Sequence, residues 1–102
     1  MIVSFRNRAT EDLFYGRSTK AARRALPHQL WKVAGKRLDH LDSADQMEDL
    51  RVPPSNRLEA LKGKQRKGQY SIRINDQYRI CFLWIEQGPA NVEVVDYHDE
   101  VK

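Results

Sequence analysis

Two arginines in a predicted β-hairpin have a spacing that could bind a phosphate. Apolar residues alternate with Arg73 in one segment and with Arg79 in the next. If both apolar sets share one face, residues 75–77 form a three-residue loop and Arg73 lies directly opposite Arg79. Facing like charges repel, so an anion between them would stabilise the pair. The alternatives are a two-residue turn, which places Arg73 opposite Tyr78, and two solvated arginines.

A carboxylate could lie on the same face as these arginines. Glu59 comes just before a basic loop at residues 62–68, and its alternation with Leu58 and Ala60 can place it on the exposed side of the sheet. A carboxylate in that position could act as a general base. Its alternative role is that of a surface ion-pair partner.

Three polar residues follow one another at the end of the last predicted strand. Asp96, Tyr97 and His98 combine an anion, an aromatic hydroxyl and an imidazole that titrates near neutral pH. Together they could supply an acid, a stacking surface and an orienting group. An ordinary strand edge is the alternative interpretation.

The charge of the chain is concentrated in two basic segments. Residues 1–37 carry nine basic and two acidic residues, and residues 62–79 carry six and one, whereas the segments after each are acidic. If the fold brings the two basic segments onto one surface, they would attract a polyanion, because each neutralised phosphate releases counterions. Solvated lysines and arginines on a loop and a helix are the alternative.

Several function classes find no support. The single cysteine, Cys81, cannot form an internal disulfide, and no secretory leader is recognisable, so a reduced, cytoplasmic protein is expected. The longest apolar run, residues 80–85, is far shorter than the roughly 20 residues of a membrane helix. Glycine-rich phosphate loops, paired zinc-ligand spacings and a nucleophile elbow are absent, which disfavours kinases, metalloenzymes and serine hydrolases. We therefore expect no metal and no cofactor.

The helices and strands that must position these residues are predicted in an order typical of the α+β class. A short strand at residues 2–5 precedes a helix between Asn7, a good N-cap, and Gly16. An apolar stripe predicts the main helix at residues 27–41, and Ser43 with Gln46 predicts a capping box and a helical turn at 44–50. The period then changes to two, which predicts strands at 57–61, 70–74, 78–85 and 91–97.

This order predicts one domain over residues 1–102. An N-terminal strand and two to three helices should pack on one face of a mainly antiparallel sheet of four to five strands. The opposite face would stay open, and we expect the arginines, Glu59 and Tyr97–His98 to meet there.

The ordered segments resemble the HigB-type branch of the RelE/ParE superfamily of bacterial toxins, a small RelE-like fold. The resemblance rests on residues 2–6, 56–63, 68–75 with 77–82, and 94–98. It implies the toxin of a type II toxin-antitoxin pair that enters the A site of the 30S ribosomal subunit and cuts mRNA without a metal. The 2′-hydroxyl of the messenger would attack the adjacent phosphate.

The resemblance also implies roles for the residues singled out above. Arg79 matches the arginine that stabilises the phosphate, with Arg73 as a second cation nearby. Tyr97 and His98, after Asp96, match the stacking and acid residues. Glu59 or His98 would be the base, and their order stays open.

Partners follow from the resemblance as well. The first expected partner is a helix-turn-helix antitoxin. Operator DNA would be contacted only through the toxin-antitoxin complex, and no interaction with a membrane is expected. Basic side chains of the loop would contact the RNA backbone, because phosphate contacts position a protein without reading sequence. These side chains are Lys62, Lys64, Arg66 and Lys67.

Two other functions compete with mRNA cleavage. A ParE-like inhibitor that binds DNA gyrase would share the fold, but that branch generally lacks the carboxylate, arginine and Tyr-His set. A plain RNA-binding module would need only the basic segments. Replacing Arg79 and His98 would leave either of these functions intact.

Overall fold

Helices make up the N-terminal half of the protein and strands the C-terminal half. The computed structural model describes residues 1–97. In this part of the chain three α-helices are followed by four strands, with short 3₁₀ turns at His28–Leu30, Met47–Arg51 and Pro54–Asn56. The helices are α1 (Arg8–Tyr15), α2 (Lys20–Ala25) and α3 (Trp31–Ser43). The strands are β1 (Glu59–Ala60), β2 (Tyr70–Arg73), β3 (Tyr78–Ile85) and β4 (Gly88–Asp96).

The first helix begins and ends at its predicted capping residues. The Asn7 side chain accepts a hydrogen bond from the backbone N–H of Thr10, and Gly16 ends the helix in the left-handed region at φ 72°. The Thr10 hydroxyl in turn accepts a hydrogen bond from the N–H of Val94, so α1 is attached to β4. Local capping and one buried polar contact therefore place α1 on the sheet.

A buried carboxylate joins α1 to α2. Asp12 is 2% exposed and accepts hydrogen bonds from the hydroxyl of Thr19, at 2.7 Å, and from Arg17, at 3.3 Å. The Thr19 hydrogen bond, supported by Arg17 and opposed by burial, holds the pKa of Asp12 below its ordinary value. Thr19 is also the N-cap of α2, a helix for which the sequence offered no clear pattern.

The predicted capping box after the main helix is shifted by three residues. Ser43 is the last residue of α3, and its hydroxyl donates to the carbonyl of His40. The reciprocal box is formed instead by Gln46 and Asp49, which caps a 3₁₀ turn. The Ser43–Gln46 assignment was wrong because α3 continues to Ser43, so this residue is not available as a start signal.

Four strands form an antiparallel sheet in the order β1-β2-β3-β4 within the described residues. The predicted N-terminal strand lies along the free edge of β4 in parallel orientation, with a single bridge between Phe5 and Val92. Backbone hydrogen bonds from Val3 to Pro89 and from Arg6 to Val92 hold it there. The α+β prediction is thus confirmed, including helices on one face and a sheet of four strands with a fifth, irregular segment.

The last strand starts earlier than predicted. Ile85 pairs with Gly88, so a two-residue turn replaces the predicted loop at 86–90. A side chain at position 88 would place Cβ 2.7 Å from the carbonyl oxygen of Met1, which requires glycine. The strand then bulges near Asn91, at φ 52°, where the pairing slips between Cys81 and Leu83. Alternation alone missed this strand start because the bulge interrupts the period of two.

The two faces of the sheet have different partners. The helices cover the face that carries Ile72, Ile80 and Val94, where the main core lies. The opposite face, called the outer face below, carries Glu59, Ser71, Arg73, Arg79, Cys81, Glu93, Val95 and Tyr97 by alternation and pairing. No helix among residues 1–97 is long and apolar enough to cross a bilayer.

Candidate active site

The predicted arginine pair is present in the β2–β3 hairpin. Arg73 and Arg79 are paired residues of the ladder, and Ile74 bonds back to Tyr78 across the three-residue loop. A three-residue hairpin loop usually has glycine or asparagine at its left-handed position, and Gln77, the last residue of this loop, is neither. The Asn75 side chain compensates by accepting hydrogen bonds from the N–H groups of Gln77, at 2.9 Å, and Tyr78, at 2.7 Å. The predicted register is therefore confirmed.

Arg79 is the centre of the outer face. Its side chain is almost buried, with 8% of the residue exposed. The Nε group donates to the Ser71 hydroxyl at 2.7 Å, and Nη2 donates to the Arg57 carbonyl at 2.6 Å. A guanidinium has five N–H donors, so these two bonds fix its plane and leave other donors available. The group is held in place before any ligand arrives.

Two residues predicted for the site flank the guanidinium. Glu59 Oε2 lies 3.8 Å from Arg79 Nη2, and half of the Glu59 side chain is exposed. The ring of Tyr97 lies on the other side, with the Arg79 Cζ 5.3 Å from its centroid, a cation–π contact. The structure thus brings together a carboxylate, a guanidinium and a phenol ring from β1, β3 and the end of β4.

The contact between Arg79 and Arg57 depends on an unusual backbone conformation. Arg57 has φ 46°, in the left-handed region that non-glycine residues seldom adopt. This conformation comes just before β1 and presents the Arg57 carbonyl to the guanidinium. Strained backbone of this kind concentrates at functional sites, where the surrounding structure holds it.

Arg73 has a different partner from Arg79. Its guanidinium bonds to the carboxylate of Asp76 in the hairpin loop. Each arginine is therefore paired with its own carboxylate, Asp76 or Glu59, and the repulsion between them is offset without an anion. The binding of an anion between the two arginines stays a prediction, and these two carboxylates are a further means by which the repulsion is offset.

Asp96 and Tyr97, the two residues of the predicted polar run that the structure describes, lie on opposite faces of the sheet. Asp96 pairs with Tyr78, and alternation places it on the helix-covered face, away from Tyr97. Its Oδ2 accepts from Gln77 at 3.0 Å, while its buried Oδ1 has no hydrogen bond within residues 1–97. The predicted residue His98 lies outside the described residues.

The basic loop between β1 and β2 holds two kinds of cation. Lys62, Lys64 and Lys67 are exposed, as expected for side chains that meet a polyanion. Arg66 instead reaches across the outer face, where its Nη1 donates to Glu93 Oε1 on β4 at 3.0 Å and to Gln69 Oε1 at 3.2 Å. The loop is thereby attached to the far strand.

Sequence reasoning missed three polar partners in this region: Ser71, Glu93 and Arg6. Ser71 precedes Arg73 by two residues, so alternation could have placed it on the same face. Glu93 and Arg6 had no local signal, because their partners are far along the chain. Among residues 1–97 no three His, Cys, Asp or Glu side chains lie together in a way that could hold a metal ion.

Comparison with known proteins gives a consistent result. Residues 3–98 match the family described as RelE-like toxin of type II toxin-antitoxin system HigB. Toxin HigB-1 of Vibrio cholerae serotype O1 is 41% identical over 75 residues, which cover 74% of this chain and 77% of the relative. An uncharacterized protein of Haemophilus influenzae is 40% identical over 73 residues, which cover 72% and 70%.

Proposed function

Because the chain belongs to the HigB-like family of RelE-like toxins of type II toxin-antitoxin systems, we propose that it is an endoribonuclease that cuts mRNA on the ribosome. The observation that carries this proposal is the environment of Arg79. Its guanidinium is oriented by Ser71 and Arg57 and flanked by Glu59 and Tyr97. A preoriented cation beside a carboxylate is suited to stabilise a phosphorane and move a proton.

The proposed reaction is an intramolecular transesterification of RNA. The 2′-oxygen forms a bond to the adjacent phosphorus, the bond from phosphorus to the 5′-oxygen breaks, and a 2′,3′-cyclic phosphate and a 5′-hydroxyl result. A base takes the proton of the 2′-hydroxyl, and an acid protonates the leaving 5′-oxygen. The remaining N–H donors of Arg79 would bind the equatorial oxygens as negative charge accumulates on them.

Other residues of the outer face have supporting roles in this proposal. Tyr97 can stack on a base next to the scissile phosphate, as its ring is also packed against Arg79. Arg73 would contribute positive potential, weakened by its bond to Asp76. The exposed lysines at positions 62, 64 and 67 would contact the phosphates of the messenger or of ribosomal RNA.

The base is either Glu59 or His98. Glu59 is exposed and lies next to Arg79, so it can reach a hydroxyl bound at that guanidinium. A role for Asp96 would be indirect, because its side chain is on the opposite face and bonds to Gln77. A Glu59→Gln variant and a His98→Gln variant, compared over pH 5–9, separate the two candidate bases: loss of the base removes one limb of the pH–rate profile.

As a type II toxin, the protein has an antitoxin as its partner. The further proposal is that this antitoxin is a helix-turn-helix repressor and that operator DNA is contacted through the complex. The ribosome and mRNA are the proposed targets of the free toxin, which would act in the cytoplasm as a single domain.

Primer extension on a defined mRNA in a purified translation system tests the proposed function. We expect cleavage only with ribosomes present, and its loss in Arg79→Ala. Arg51→Ala is the matched control, because Arg51 pairs with Glu48 at the surface, away from the outer face. Circular dichroism and binding of the antitoxin show whether each variant is folded.

Two results would contradict the proposal. One is cleavage by Arg79→Ala at the wild-type rate. The other is growth arrest on expression without cleavage under any condition, which would favour inhibition of DNA gyrase.

A further inference from the structure

A polar cavity lies where the basic loop meets β4, beside the proposed cleavage centre. Its volume is about 470 Å³. The lining side chains are two arginines, two amides and one carboxylate, namely Arg6, Arg66, Gln65, Gln69 and Glu93. Apart from Arg66, which is predicted to contact RNA, none of these residues has a part in the proposed chemistry. The proposed cleavage therefore does not account for the cavity.

The carboxylate of Glu93 is held in place at the wall of this cavity. Its Oε1 accepts from Arg66 Nη1 at 3.0 Å and lies 3.6 Å from Arg6 Nε, and 17% of its side chain is exposed. Its Oε2 makes no hydrogen bond within residues 1–97. A carboxylate has about four lone-pair positions, so Glu93 can still accept hydrogen bonds from a ligand.

The cavity lining combines positively charged donors with a carboxylate acceptor, and this combination indicates which class of ligand can bind. A phosphate offers acceptors alone, so it could bind the arginines but could not donate to the Glu93 carboxylate, whereas the edge of a nucleobase offers donors and acceptors together. Guanine has two adjacent donors, N1–H and the N2 amino group, that match a carboxylate, and its O6 and N7 are acceptors for arginine. Adenine, cytosine and uracil lack two adjacent donors.

The position of the cavity fits a nucleotide next to the reacting phosphate. Glu93 on β4 pairs with Cys81, which is two residues from Arg79 on β3, so Glu93 and Arg79 are diagonal neighbours on the outer face. Diagonal neighbours on adjacent antiparallel strands are about 7–8 Å apart. That distance is compatible with one nucleotide bridging the two groups.

We propose that this cavity binds a guanine base, through Glu93 on its Watson–Crick edge and Arg6 on its acceptors. The assignment of that guanine to the nucleotide next to the cleaved phosphate rests on the proposed function. Binding of the base itself can be measured without any cleavage.

Titration of the isotope-labelled protein with mononucleotides is the direct test. We expect 3′-GMP to shift the backbone amide signals of residues 65–69 and Glu93, and to bind about tenfold more tightly than 3′-inosine monophosphate, which lacks the N2 amino group. Glu93→Gln should remove the preference of the protein for 3′-GMP over 3′-AMP. Glu86→Gln, at an exposed carboxylate on the β3–β4 turn, is the matched control and should retain it.

Equal binding of 3′-GMP and 3′-AMP, or shifts confined to other residues, would overturn the proposal. A wild-type spectrum outside the cavity shows that Glu93→Gln is folded. If 3′-GMP is preferred but no mRNA is cut, the cavity assignment stands and the proposed cleavage fails.

Mapping of cleavage sites in mRNA is a second test of the guanine assignment. Wild-type protein should favour guanine at one position relative to the cut, and Glu93→Gln should lose that preference. A uniform drop in cleavage at all sites, with no guanine preference in the wild type, would mean that Glu93 only anchors the loop through Arg66. That outcome would overturn the guanine assignment while leaving the proposed cleavage intact.

Discussion

Arg73 and Arg79 are directly opposite each other across the β2–β3 ladder, yet their guanidinium groups bond to different partners. Arg73 bonds to Asp76 in the hairpin loop, whereas Arg79 is held by Ser71 and Arg57 next to Glu59. Only Arg79 is almost buried and oriented by neutral acceptors. The two cations of the pair are therefore unequal.

This inequality predicts different losses of cleavage for the two arginines. Arg79→Lys should lower the single-turnover rate at least about a hundredfold, because an ammonium cannot reproduce the oriented donors. Arg73→Lys should cost less than about tenfold. Quenched-flow cleavage of ribosome-bound mRNA measures both rates, and equal losses would argue against a special role of Arg79.

Ser71 should act as a positioning residue for Arg79. Ser71→Ala removes the acceptor of the Arg79 Nε group in a fully buried place, so we expect a loss of about 1–3 kcal/mol in the free energy of unfolding. It should also lower kcat about tenfold with little change in KM, because the guanidinium is less well oriented in the transition state.

Ser71→Thr, which keeps the hydroxyl, should recover much of kcat. Ser43→Ala is the surface control. A rise in KM alone would contradict the positioning role.

The exposed loop lysines should govern the salt dependence of RNA binding. Each of Lys62→Ala, Lys64→Ala and Lys67→Ala should reduce the slope of log K against log salt concentration by about one for each lost phosphate contact. Filter binding of RNA at several salt concentrations measures this slope. Lys36→Ala on α3 is the control for a general change in charge. Unchanged slopes in the loop variants would remove the loop from the RNA interface.

The left-handed conformation of Arg57 makes a prediction about stability. Arg57→Gly should raise the free energy of unfolding by about 0.5–1 kcal/mol, because glycine adopts φ 46° without steric cost. Cleavage should be retained, since Arg79 bonds to the backbone carbonyl and not to the Arg57 side chain. Arg57→Ala should give no such gain. Thermal unfolding and cleavage assays of both variants test this, and a stability loss in Arg57→Gly would contradict it.

Acid should weaken the contact between α1 and α2. The pKa of folded Asp12 is below the ordinary value of 3.8, so the unfolded state binds more protons between these two values. The stabilisation is present above the ordinary pKa and is lost as pH falls through the folded one. Asp12→Asn should therefore flatten the acid limb of stability measured by urea unfolding at pH 2–6. Thr19→Ser keeps the hydroxyl donor and should therefore preserve the fall in the free energy of unfolding at low pH. If Asp12→Asn shows the same fall as the wild type, the Asp12 carboxylate is not its cause.

Local rules were enough for much of the fold. The caps at Asn7 and Gly16 and the register of Arg73 with Arg79 follow from short-range geometry, because a cap or a hairpin involves residues close together in the chain. The places where prediction failed are those where a local signal had a stronger competitor. Ser43 resembled an N-cap but continues α3, and the bulge near Asn91 interrupted the alternation that would have shown the start of β4.

By itself, the sequence determined the α+β order, the facing arginines and the residue types of the candidate site. The tertiary structure alone decided which polar atoms meet: Arg79 with the carbonyl of Arg57, and Arg66 with Glu93, 27 positions away. It also decided that Asp96 and Tyr97 lie on opposite faces of the sheet. The physical reason is that alternation assigns a side chain to a face, whereas an ion pair depends on how distant segments fold over that face.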